Sequence, residues 1–183
     1  MKMYNKNIFG CAVVMTSFLL MSCDQSTEQA SITDQQLPDT SIAAVVSKSG
    51  PTVALSSDKV SVYKGDTFTL DIMMSEFIST EGGGVTVRFD ADLVQVVNVN
   101  IDSNIWKFKI KEGNIHNIEG SISDILFSSY QDVEGSAKIA TVEFKSIEKG
   151  VSTITLAESE ANAFAGGGEK IAVVFNSNTI SSN

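Results

Sequence analysis

The chain has 183 residues, 43% of them hydrophobic, enough length and apolar mass for one ordinary domain with appendages. Its formal charge is −9 at pH 7, and losing Lys2 and Lys6 with an export segment would make it two units more negative. So acidic a surface repels phosphates, which excludes nucleic-acid binding as a function. Of the two cysteines, Cys11 lies in the apolar N-terminal segment, so a processed chain keeps only Cys23 and forms no intrachain disulfide. With a single histidine, His116, the His/Cys cluster of a structural zinc site is missing, and no metal or other cofactor is expected.

Residues 1–22 have the three parts of an export signal: Lys2 and Lys6, an apolar run from Ile8 to Met21, and a small residue, Ser22, before Cys23. The apolar run is about 14 residues, short of the roughly 20 that cross a bilayer as a helix. Leu20-Met21-Ser22-Cys23 resembles a bacterial lipobox. That resemblance implies cleavage before Cys23, acylation of its thiol and new amino group, and stable anchoring through several chains. The alternative is an ordinary cleaved signal with an incidental Cys23. Asp24-Gln25 resembles the signal that retains lipoproteins in the inner membrane, which implies the periplasmic side of that membrane.

From Asp24 to Gly50 the chain is rich in Ser, Thr, Gln and Asp, with the short run Ile42–Val46 as its main apolar content. Too little apolar area is present to offset ordering entropy, so residues 23–50 are expected to form a flexible linker with a reach of about 30 Å as a coil and roughly 90 Å stretched. From Pro51 the texture changes to short β-type segments. In chain order they are Thr52–Ser56, Lys59–Tyr63, Thr67–Ile72, Val85–Phe89, Val94–Ile101, Ile105–Lys111, Ile125–Ser128, Lys138–Phe144, Val151–Leu156 and Ile171–Phe175. Several alternate strictly with period two, and no window shows a helical period. Nine or ten short strands separated by turn residues predict an all-β, antiparallel β-sandwich over residues 51–183. In Ile105–Lys111 the alternation puts Trp106, Phe108 and Ile110 on a core face and Lys107, Lys109 and Lys111 on the other.

Three stretches carry a family resemblance. Gly135 through Leu156 (GSAKIATVEFKSIEKGVSTITL), Gly84 through Val99 (GVTVRFDADLVQVVNV) and Val60 through Leu70 (VSVYKGDTFTL) occur in an order and spacing similar to cohesin domains. The resemblance covers most of residues 51–183. It implies a nine-stranded jelly roll related to carbohydrate-binding modules, and a non-catalytic domain that binds dockerins, whose calcium belongs to the dockerin. It also implies a recognition face built on the strands Gly82–Arg88 and Ile125–Tyr130, with Thr86, Arg88, Ser128, Ser129 and Tyr130 as partner-binding candidates. In the family, an Asn-x-Asp before the aromatic-Asp turn hydrogen-bonds the dockerin. Here those positions are Gly82 and Gly84, which have no side-chain donor or acceptor.

Other constellations have simple structural readings. Asp90-Ala91-Asp92 is expected to form an Asx-type turn rather than half a calcium site. Gly82–Gly84 and the run Gly166-Gly167-Gly168-Glu169-Lys170 lack the phosphate-loop spacing, so the glycines are expected to permit bulges or positive-φ loops. Trp106 is assigned to the core, Tyr63 and Tyr130 to strand ends, and His116 to a surface or turn. The lysine row is expected to protect an edge strand, with steering of an acidic partner as the alternative. No nucleophile motif or paired carboxylate emerges, so the domain is not expected to be an enzyme. The function predicted is a membrane-tethered binding module for a dockerin-like protein, in an extracytoplasmic assembly connected with polysaccharide metabolism. The alternatives are direct polysaccharide binding and a structural envelope lipoprotein.

Overall fold

A computed structural model describes residues 50–57 and 59–183. The expectations for the export signal, Cys23, Asp24 and the linker to residue 49 lie outside the described residues. Among the described residues there is no helix. The strands are β1 (Thr52–Leu55), β2 (Lys59–Val62), β3 (Thr67–Phe77), β4 (Gly82–Arg88), β5 (Val94–Ile101), β6 (Phe108–His116), β7 (Ser121–Ser128), β8 (Gly135–Ser146), β9 (Gly150–Glu158), β10 (Ala165–Gly166), β11 (Glu169–Lys170), β12 (Val174–Phe175) and β13 (Asn178–Ser182).

Two sheets stack. The smaller has the order β12-β1-β3-β8-β5. In the larger, β4 is the branching strand: β7 and then β6 lie on one side, while β9, β13 and β2 follow on the other. The β10–β11 hairpin joins β4 at Gly82. Alternation builds the interface between the sheets. Leu70, Ile72 and Met74 of β3 and Val142 and Phe144 of β8 face Val85 and Val87 of β4, Ile122, Ile125 and Phe127 of β7 and Ile154 of β9, all buried in one core. Each such side chain contributes about 1.5–3 kcal/mol by leaving water.

The sandwich is the expected fold, with three differences. Two pairings are parallel, β1 with β12 and β2 with β13. They arise because the first and last segments of the domain run the same way. The opening segment also switches sheets, since β1 pairs in the smaller sheet and β2 in the larger although only Ser56–Asp58 separate them. Counted as one broken strand, β1 and β2 bring the long strands to nine; the two-residue pairings β10, β11 and β12 come in addition. Finally, only Val174–Phe175 of the expected Ile171–Phe175 strand pairs, whereas the polar segment Asn178–Ser182 forms β13.

Trp106 is fully buried, but not on a strand. Its N–H and that of Ile105 donate to the carbonyl of Asp102, making a tight turn before β6 begins. Its indole Nε1 donates to the Lys138 carbonyl at 2.9 Å, and its ring lies 4.5 Å from that of Phe127. Phe108 and Ile110 do not share its face: Ile110 is 58% exposed. The turn at Asp102 and a bulge between Lys109 and Lys111 break the register that strict alternation implied.

Candidate functional site

The outward face of the larger sheet follows from the pleat of β4. Val85 and Val87 point into the core, so Thr86 and Arg88 point away from it. Arg88 is exposed at the end of the strand, in register with Thr155 of β9 and Ser121 of β7. Beside them a shallow depression of about 290 Å³ is lined by Thr86, Arg88, Ser123, Asp124, Ala157, Glu158 and Glu160.

Asp124 organises its floor. It sits at a bulge where β7 pairs with β4 and adopts φ of 59°, a left-handed conformation that Asp tolerates better than most residues. Its carboxylate accepts hydrogen bonds from Lys111 Nζ at 2.9 Å, Ser159 Oγ at 3.1 Å and Asn114 Nδ2 at 3.4 Å. The bond from Lys111, then that from Ser159, hold it below the ordinary carboxylate range. One side chain thus ties β6, β7 and the segment after β9 together. Glu158 is similarly committed: Oε2 accepts from Lys170 Nζ at 2.6 Å and Oε1 from the Phe164 N–H at 3.2 Å.

The other half of β4 is covered. A Cβ on Gly84 would lie 2.7 Å from the Asn162 carbonyl oxygen and 2.8 Å from Ser159 Cβ. On Gly83 it would lie 2.8 Å from the Phe164 ring, and on Gly82 2.5 Å from the Phe127 carbonyl oxygen. The three glycines therefore neither form a bulge nor take positive φ; they let the Ser159–Phe164 segment and the neighbouring strand approach the backbone closely. The positive-φ reading does hold at Gly167 and Gly168, φ 59° and 79°, which make the two-residue turn of the β10–β11 hairpin.

The five partner-binding candidates do not converge on one spot. Thr86 and Arg88 line the depression. Ser128 Oγ is used internally, donating to the Glu81 carbonyl at 2.8 Å. Ser129 and Tyr130 lie beyond β7 and line a separate groove of about 460 Å³ together with Ile105, Lys107 and Val133. Tyr130 is 78% exposed and meets Phe108 nearly edge to face, ring centroids 4.0 Å apart. Asp124, Glu158 and Ser159 were not singled out by sequence reasoning, and Lys111 was read there only as part of the lysine row. The signal for Asp124 was present in SISDILF, where Ile122 and Ile125 stand three apart and break the period of two, as a bulge requires.

The remaining candidates take simple roles. The Asp92 N–H donates to Asp90 Oδ1 at 3.0 Å, the expected Asx turn. Among the described residues no three His, Cys, Asp or Glu side chains come together as a metal ion requires. His116 is exposed, with Nδ1 3.3 Å from Glu119 Oε2. The lysine row lies at the start of edge strand β6, but it is not a free basic stripe. Lys107 Nζ donates to the carbonyls of Ser103 and Asn104, Lys109 Nζ bonds Asn100 Oδ1 and Glu112, and Lys111 bonds Asp124.

No family model matches the sequence, and no curated protein does. Solved structures do match in fold. One is a chain of the type I cohesin–dockerin complex of OlpC from Clostridium thermocellum, at TM-score 0.62 and 16% identity over 74% of this chain and 94% of that one. A second is the structure of the sixth cohesin of scaffoldin B from Acetivibrio cellulolyticus with a Cel5 dockerin, at 0.60 and 12% over 74% and 100%. A third is a non-cellulosomal cohesin from the archaeon Archaeoglobus fulgidus, at 0.58 and 9% over 74% and 92%. The architecture of residues 50–183 is that of cohesin domains, and at these identities the likeness is one of fold.

Proposed function

We propose that this domain is a non-catalytic protein-binding module that receives a dockerin-like partner on the outward face of its larger sheet. The observation that carries this reading is the pairing of a cohesin fold with an open, polar sheet face whose recesses are shallow. The functional chemistry of such a face is hydrogen bonding and shape complementarity across a flat contact, with a few central residues supplying most of the binding energy. In this chain the Gly82–Gly84 half of β4 lies under the Ser159–Phe164 segment, so binding would use the Thr86–Arg88 half and its neighbours on β7 and β9.

In the same reading Cys23 carries the lipid and residues 23–50 act as a tether, holding the domain at the cell envelope on the periplasmic side of the inner membrane. The partner would belong to an assembly connected with polysaccharide metabolism. Direct glycan stacking is less well supported: Trp106 is buried, and the exposed pair Phe108 and Tyr130 stand at 66° to each other rather than coplanar.

The test is capture of calcium-loaded dockerin modules by the full-length lipidated chain in detergent. Saturable binding that disappears with a calcium chelator is the expected result, and failure to retain any module of the panel would end the dockerin reading. For the anchor, mass spectrometry of the mature N-terminal peptide should show an acylated Cys23. Cys23→Ala should leave the precursor uncut, and an unmodified mature N-terminus would refute lipidation. Membrane fractionation tests the Asp24 assignment, since recovery in the outer membrane would contradict it.

A further inference from the structure

Arg88 is the single arginine of the chain. Its guanidinium offers five N–H donors in a planar fork that matches a carboxylate. The structure uses none of them: among the described residues Arg88 enters no ion pair and no side-chain hydrogen bond. Acids are nevertheless close at hand, since Asp124, Glu158 and Glu160 line the same depression. Two of the three are committed elsewhere, Asp124 to Lys111 and Ser159, Glu158 to Lys170 and the Phe164 N–H. The third, Glu160, is exposed and makes no ion pair with Arg88.

The residues in register with Arg88 are neutral. Ser121 and Thr155 stand opposite Arg88 on the two adjacent strands, and Thr86 and Ser123 follow on the same face. These hydroxyls carry no charge and can donate to an anion. The lysines that keep the local carboxylates occupied thereby leave the arginine available on an otherwise acidic protein. We infer that Arg88 is the anchoring point for a carboxylate of the protein partner, an Asp or Glu side chain received by the guanidinium fork and steadied by the hydroxyls of Thr86, Ser121 and Thr155. This assignment rests on the protein-binding reading of the face and names the chemistry that the partner must present. In the free domain an exposed pair of this kind would be weak, whereas under a partner that excludes water the bidentate bond strengthens and becomes selective.

The test uses the full-length chain in detergent and the calcium-loaded dockerin module that it retains best. Phenylglyoxal, which modifies arginine, has one target in this chain, and mass spectrometry reads its modification. Bound partner is expected to slow modification of Arg88 about tenfold or more. Arg88→Lys should weaken binding about tenfold and Arg88→Glu about a hundredfold, with thermal midpoints unchanged because the side chain is exposed. Equal modification rates in free and bound protein, or full affinity in Arg88→Glu, would overturn the carboxylate contact while leaving the protein-binding reading intact. Retention on polygalacturonate by the unsubstituted chain but not by Arg88→Ala would assign the fork to an acidic glycan and overturn the protein partner. Retention of no dockerin at all removes the reading and this inference with it.

Discussion

From Gly82 to Gly84, β4 runs beneath the Ser159–Phe164 segment, whereas from Thr86 to Arg88 the same strand lies open on the same sheet. The pleat is shared; the difference is what each half can present. Where Cβ atoms are missing, backbone and aromatic ring approach to distances that no other residue would allow. Where side chains return, the strand offers a hydroxyl and a cation to solvent. One half of β4 is therefore a packing surface and the other a contact surface, and the boundary falls at Val85, opposite the bulge that turns Asp124 toward Lys111 and Ser159.

Removing the core ring at the end of the covering segment should have the largest effect. Phe164 is fully buried against Gly83 and its ring meets those of Phe77, Phe127 and Phe175. Phe164→Ala should cost about 4 kcal/mol by chemical denaturation, and a cost below about 1 kcal/mol would show that this ring does not anchor the segment to the core. Next comes Gly84→Asp, which installs the acid that the resemblance to cohesins implies for this position. Its Cβ would collide with the Asn162 carbonyl, so a loss of about 2–3 kcal/mol and a lower thermal midpoint are expected. A stable Gly84→Asp domain would mean that the cover lifts freely and that both halves of β4 can bind.

Acid titration sharpens the boundary between the halves. The carboxyl of Asp124 titrates below its ordinary value, chiefly because Lys111 and Ser159 hydrogen-bond the ionised form. A lowered folded-state value contributes stability above the unfolded one, and that contribution is lost as pH falls from about 4 downward. Asp124→Asn, which keeps tolerance of positive φ, should flatten stability against pH in that window; unfolding curves that coincide with those of the unsubstituted chain would refute the role. The smallest effect is expected at the open end. Arg88→Ala should change stability by no more than about 0.5 kcal/mol, since the exposed side chain makes no ion pair or hydrogen bond among the described residues. A larger loss would place Arg88 in the packing half after all.

Much of the sandwich was legible in alternation. Leu70 and Ile72, Val85 and Val87, and Val142 and Phe144 are buried where a period of two put them, and the Asx turn at Asp90 followed from local chemistry. Legibility ended where a contact depends on a distant segment. Trp106 reads as the start of a strand with Phe108, yet a backbone turn on Asp102 sends the indole into the core and leaves Phe108 at the surface. Asn178–Ser182 is not among the expected strands, yet it pairs as β13 and Ser182 Oγ meets Ser146 Oγ at 2.6 Å. Among the partner-binding candidates, Thr86 and Arg88 face outward as alternation requires. Ser128 spends its hydroxyl on Glu81, and Tyr130 belongs to another groove.

Taken alone, the amino-acid order determined that residues beyond Pro51 make two stacked sheets, because alternating side chains have only one way to put their apolar half out of water. Which part of a wet face is open could be decided only by the folded chain. Gly82–Gly84 are silent about their neighbours until Ser159–Phe164, some eighty residues later, is laid across them. Arg88 shows itself as unpaired only once Lys111 and Lys170 have reached the carboxylates beside it. Short-range patterns carry the sorting of apolar from polar, while the matching of charges and of close contacts requires coordinates.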